Sequence, residues 1–269
     1  MGFLSFQPTE IAKNGLIIFY AALLTKNKEN LDKMGKGFFY PIAFLLPVIA
    51  ILIGVQNHLS ATLLIIMIVA IMMLMAGTKL RYFLTFGSIG AGAGAIGLVA
   101  LAKITGSGLF RLKRLVTFLD PFADVQGDGW QIIQSLYAIG SGGLFGVGLG
   151  NSTQKYLYLP EAHNDFIFSI IAEELGFLGC IFVIILFALF IWRGILIAIK
   201  APDMFGSLVA AGITSMVGLQ AIINIAVVTS SMPNTGMPLP FFSYGGTSLL
   251  ILLASVGVLL NISRASKAK

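Results

Sequence analysis

Between Lys36 and Lys79 the chain runs 42 residues without a formal charge, interrupted only by the polar triplet Gln56-Asn57-His58. A bilayer core about 30 Å thick is crossed by roughly 20 apolar residues in a helix, because lipid offers backbone amides no partner and the segment must satisfy them internally. The stretch therefore reads as two spans joined by a tight turn. The 21 residues between Arg81 and Lys103 suffice for one more span. The 60 between Asp203 and Arg264 are broken by Pro233, Asn234, Gly236, Pro238 and Pro240, a density of helix breakers that marks a loop between two spans. Residues 166–192 form another span with Glu173 and Glu174 inside it, and residues 11–25 a short one with Lys13 in its first turn. The expectation is an all-α, polytopic membrane protein: seven transmembrane helices in one domain over residues 1–269.

Composition excludes the soluble alternative, since 57% of residues are hydrophobic and 10% charged, against about 25% charged in soluble domains. The formal charge of +6 reflects topology rather than a nucleic-acid partner. Lys26, Lys28, Lys33, Lys36, Lys79, Arg81, Arg193, Lys200, Arg264, Lys267 and Lys269, 11 of the 17 bases, fall in one set of loops, which the positive-inside rule makes cytoplasmic. The other side then carries the N-terminus, the turn at His58, the long segment 104–164 and the proline loop 232–243. An outer N-terminus with no span or cleavable signal ahead of it leads us to expect that N-terminal helices are missing. Cys180 is the single cysteine, so no intrachain disulfide forms, and with two histidines a His/Cys metal site is not expected.

Segment 104–164 is the one long extracellular loop, and loops of that length are uncommon unless functional or disordered. Its aromatic content argues for order, and residues 130–139 have the apolar spacing of a short helix. Arg111, Lys113, Arg114 and Lys155 stand on the side where few cations are expected. Long loops cross regardless of charge; alternatively these bases hold an anionic ligand such as phosphate oxygens. Gly140, Gly142, Gly143, Gly146, Gly148 and Gly150 either bring backbone amides to a phosphate or supply turn geometry, and no Gly-Lys-Ser/Thr follows to make a nucleotide loop.

Asp165 sits where this loop becomes a helix. Periodicity alone reads it as an N-cap or first-turn carboxylate; the chemical reading is a general base at the water boundary that takes a proton from a sugar hydroxyl. Glu173 and Glu174 lie about 12 Å further along a continuous helix, at a depth where carboxylates face protein or water. At about 100° per residue Glu173, about 80° from Asp165, is the one able to share its cavity.

Several blocks together resemble the SEDS family (shape, elongation, division and sporulation) of bacterial cell-wall polymerases. They are Phe6-Gln7-Pro8-Thr9-Glu10; Gln134-Ser135-Leu136 with Gly140-Ser141-Gly142-Gly143; Tyr158-Leu159-Pro160-Glu161-Ala162-His163-Asn164-Asp165-Phe166-Ile167-Phe168 with Ala172-Glu173-Glu174-Leu175-Gly176; and Met232-Pro233-Asn234-Thr235-Gly236 through Ser243-Tyr244-Gly245-Gly246. Gln154-Lys155 ahead of Tyr158 is more similar to the division and sporulation branch, FtsW and SpoVE, than to the elongation branch, RodA. Where many members have Gln-Pro-Asp-Leu-Gly, this chain reads Gln56-Asn57-His58-Leu59-Ser60, so no role attached to that aspartate carries over.

The resemblance implies helices four to ten of a ten-helix fold, and peptidoglycan glycosyltransferase activity on lipid II, with the essential aspartate at Asp165. We expect Asp165, kept ionised by nearby Arg or Lys, to act as base, and Arg111, Lys113, Arg114 and Lys155, with a divalent cation (Mg or Mn), to stabilise the departing pyrophosphate. Glu161, His163, Glu173, Gln7, Glu10, Ser243 and Tyr244 are the further substrate-contact candidates. The implied partners are lipid II, a class B penicillin-binding protein transpeptidase and other division or sporulation proteins, in the bacterial plasma membrane with the active face outside. The rival readings are a flippase for the lipid-linked precursor, with intramembrane carboxylates as coupling groups, and a non-catalytic scaffold.

Overall fold

The computed structural model describes residues 8–54, 59–88, 90, 92, 118, 120–124, 127, 129–156 and 158–267. Its principal helices are α1 (Pro8–Lys26), α2 (Tyr40–Gly54), α3 (Leu59–Ala76), α4 (Trp130–Gly142), α5 (Ile167–Ile199), α6 (Met204–Val228) and α7 (Gly246–Lys267). A π-helical turn, Met34–Phe39, leads into α2.

Among the described residues five helices are long and apolar enough to cross a membrane: Met34–Gly54, Leu59–Ala76, Ile167–Ile199, Met204–Val228 and Gly246–Ser266. The protein is thus multi-pass and all-helical, with five such spans where seven were expected. Residues 11–25 do lie in a helix, α1, but Glu10, Lys13 and Asn14 dilute its apolar character. Residues 80–88 are helical at the start of the span expected over 82–102, most of which lies outside the described residues, as does the turn 56–58.

The chain divides into two compact units. The first comprises Met1–Thr85, Phe187–Gln220 and Gly245–Lys269. In it α1 buries Ile17, Tyr20, Ala21 and Leu24, spaced three and four apart so that they form one stripe. The Tyr20 hydroxyl donates to the Pro41 carbonyl at 2.9 Å, and Ser255 Oγ on α7 donates to Asn14 Oδ1 at 2.7 Å. Thr78 Oγ1 donates to the Gly37 carbonyl and the Tyr82 hydroxyl to that of Asp32. These bonds bring the loops bearing Lys33, Lys36, Lys79 and Arg81 together within the unit.

The second unit comprises Phe86–Leu186 and Ala221–Tyr244. Its governing feature is a break in α5 at Gly176, where φ is 67° and ψ −166°. Breaking a helix frees carbonyls before the break and amides after it, and at membrane depth they need partners. The glycine-rich stretch supplies them. Val147 and Gly148 N–H donate to the Glu173 and Glu174 carbonyls at 2.9 and 3.1 Å, and Phe177 and Leu178 N–H donate to the Gly143 and Leu144 carbonyls at 2.9 and 3.2 Å. Of the two readings of these glycines, turn geometry accounts for Gly143, Gly146 and Gly148, all with positive φ.

Candidate functional site

Residues 158–165 have no regular secondary structure, and their carbonyls are held from two sides. From the start of α4, Trp130 Nε1 donates to the Tyr158 carbonyl and Gln131 Nε2 to the Pro160 carbonyl, both at 3.0 Å. From the other side, Tyr244 N–H donates to the His163 carbonyl at 2.9 Å, Ser243 Oγ to that of Asn164 at 2.5 Å, and Asn224 Nδ2 to that of Asp165 at 2.7 Å. Irregular backbone can hold one conformation here because these polar groups are paired by protein. Within the segment Glu161 has φ 53°, unfavourable for a residue with a side chain. Asn164 closes that turn, N–H to the Glu161 carbonyl at 3.0 Å and Nδ2 to Oε2 at 2.6 Å.

The segment borders a cleft of ≈ 560 Å³ lined by Lys155, Leu159, Pro160, Glu161, Ala162, His163, Asn164 and Tyr244. Asp165 follows directly behind Asn164 and is half-buried. Its Oδ2 faces Gly236, where a Cβ would stand 3.3 Å away. Burial pushes the Asp165 carboxyl above the usual carboxylate range, and the negative charge of Glu161 pushes it further.

Of the cations expected to keep it ionised, only Lys155 falls among the described residues. Among the described residues no Lys, Arg or helix N–H pairs with the Asp165 side chain. Lys155 Nζ is engaged by Glu174 Oε1 at 2.8 Å and the Gly150 carbonyl at 2.6 Å, and the hydrogen bond to Glu174 raises its pKa. Arg111, Lys113, Arg114 and Gln7 lie outside the described residues. Glu10 belongs to the first unit, paired with the buried Lys13 at 2.7 Å.

Glu173 is 1% exposed, and its carboxylate accepts from Ser152 Oγ, from Thr153 N–H at 2.9 Å and from Thr153 Oγ1 at 2.9 Å. It anchors the loop that carries Lys155 and is not a cleft-lining residue. The helical-wheel relation to Asp165 does not apply, because α5 begins at Ile167, after Asp165. Ser243 Oγ is taken up internally, accepting from Leu239 N–H at 2.7 Å while donating to Asn164. Tyr244, 83% exposed, and His163 present surface to the cleft. Sequence reasoning missed Trp130, Gln131 and Asn224. The signal for Asn224 was present: a strongly polar side chain within an apolar span is expensive unless it has a task.

A multi-pass helical membrane protein with a half-buried carboxyl directly behind a mostly apolar cleft is the class of protein that this fold and site define. The chain belongs to the cell cycle protein family of FtsW, RodA and SpoVE, whose profile matches residues 1–268. It is 45% identical over 267 residues to stage V sporulation protein E of Bacillus subtilis, covering 99% of this chain and 71% of that protein. It is 43% identical over 259 residues to the probable peptidoglycan glycosyltransferase FtsW of Geobacter sp. (strain M18), covering 96% of this chain and 68% of the relative. Its structure resembles a chain from a peptidoglycan synthase complex studied for its coordination of polymerization and crosslinking, with a TM-score of 0.76 and 30% identity over 99% of this chain and 72% of that one. Against the rod shape determining protein RodA of Thermus thermophilus the TM-score is 0.63 at 30% identity, covering 98% and 67%.

Proposed function

We propose that the protein is a peptidoglycan glycosyltransferase that polymerises lipid II into β-1,4 glycan strands at the outer face of the bacterial plasma membrane, in division or sporulation. The identity to a probable peptidoglycan glycosyltransferase supports the activity. The likeness to a chain of a peptidoglycan synthase complex supports pairing with a class B penicillin-binding protein transpeptidase. The observation that carries the reading is Asp165: a carboxyl with no donor of its own among the described residues, held by its backbone directly behind a cleft.

In this reading Asp165 accepts the proton of the acceptor sugar's 4-hydroxyl. The freed oxygen pair attacks the anomeric carbon of the donor, the bond from that carbon to the pyrophosphate oxygen breaks, and configuration inverts. A raised pKa suits the role, since a base works best when its pKa lies nearer the operating pH. Lys155, together with Arg111, Lys113 and Arg114, would stabilise the negative pyrophosphate as it leaves. The described residues gather no group of three His, Cys, Asp or Glu able to hold a metal. Glu161 Oε2 is already taken by Asn164 Nδ2, so a divalent cation would be held chiefly by substrate phosphates; it would neutralise the leaving group's charge.

The test is product analysis with lipid II in detergent, where no membrane sidedness exists, using the protein purified with its transpeptidase partner. Polymerised glycan supports the enzyme. Lipid II left unpolymerised, together with transport of the precursor in vesicles, would favour the flippase.

A further inference from the structure

Three successive carbonyls, those of His163, Asn164 and Asp165, accept hydrogen bonds from Tyr244 N–H, Ser243 Oγ and Asn224 Nδ2. The last donor is unlike the other two. Asn224 lies inside α6, is 1% exposed, and spends its amide twice, on the Asp165 carbonyl and on that of Met237, both at 2.7 Å. Both partners are acceptors, which fixes the orientation of the amide group. Its Oδ1 is buried with no partner of its own.

A buried acceptor without a partner is unfavourable, so an aliphatic side chain would suit this position better if it only filled space. The two donated bonds are what the asparagine provides. They join the residue behind the cleft to the loop whose Gly236 faces the Asp165 carboxylate. We infer that Asn224 is a positioning residue for catalysis, an amide bracket that clamps the backbone of Asp165 to the 232–240 loop and thereby sets where the carboxylate stands.

The inference rests on Asp165 being the base. Its mechanism is geometric: a misplacement of about 1 Å in a reacting group can cost on the order of a hundredfold in rate. Asn224 touches no cleft surface, so substrate affinity should be spared while turnover falls. Freed from the bracket, the Asp165 carboxyl would become more hydrated and its pKa would fall. Glu161, on its own segment, is the charged group among the described residues that acts on it, while the uncharged backbone at Gly236 faces the carboxylate.

The experiment measures lipid II polymerisation by the intact protein with its transpeptidase, comparing wild type, Asn224→Ala, Ser243→Ala and Asp165→Asn. Asn224→Ala should lower kcat roughly tenfold to a hundredfold, leave KM within about twofold, and move the acid limb of the kcat–pH profile to lower pH. Ser243→Ala, which removes the neighbouring tether at Asn164, should shift kcat and the limb in the same direction by less, and it decides the matter if Asn224→Ala gives no cooperative melt. Parental kcat in either folded variant, or a lowered kcat with an unmoved acid limb, overturns the positioning role. A parental rate in Asp165→Asn instead overturns the base assignment on which it rests.

Discussion

A Cβ placed on Gly146 would stand 2.1 Å from the carbonyl oxygen of Glu174, so the glycine stretch and the broken helix approach each other more closely than any side chain permits. Gly146 also has φ 79° and Gly176 φ 67°. Gly146→Ala and Gly176→Ala should each destabilise the protein by about 2–4 kcal/mol, combining left-handed strain with displacement of the backbone bonds that mend the break. Thermal unfolding in detergent measures this, and Gly140→Ala, where a Cβ meets open space, serves as the tolerated control.

Glu173 should behave as an anchor. Glu173→Ala strands the donors of Ser152 and Thr153, which costs about 1–3 kcal/mol for buried polar groups left without partners. Glu173→Gln keeps an acceptor oxygen and should lose less. Unfolding midpoints of the two variants give the comparison, and equal losses would mean that shape rather than hydrogen bonding matters there.

Stability should respond to the Asp165 proton. Its folded-state pKa is raised, so the folded protein holds that proton more tightly than the unfolded chain does. This contribution is fully favourable below the ordinary value of 3.8 and is lost as pH rises through the raised folded value. Asp165→Asn removes the cost of an ionised, half-buried carboxylate, so its Tm at neutral pH should exceed that of wild type. The gap should narrow as the pH falls toward 3.8.

The long apolar runs made α2, α3, α5, α6 and α7 legible in the sequence, because lipid imposes length and hydrophobicity on any span. The interior of α5 was not legible. A pattern of 3.6 residues per turn assumes an unbroken helix, and nothing in Glu173 to Gly176 announces that residues 143–148 will replace its lost hydrogen bonds. Charge counting located Lys155 near the site but could not foresee its engagement by Glu174. Nor could it foresee that burial and the charge of Glu161 raise the Asp165 carboxyl. Asn224 was readable in principle as a polar residue in an apolar span, although its two partners, 59 and 13 residues away, become visible only in the fold.

The most direct measurement is the rate of glycan synthesis from lipid II by Asp165→Asn against wild type, both purified with the transpeptidase and both shown to melt cooperatively. General-base assistance contributes about 10²–10⁴-fold, so turnover should fall by at least that range with the fold intact. Glycan made at the parental rate by the asparagine variant would contradict the role given to Asp165.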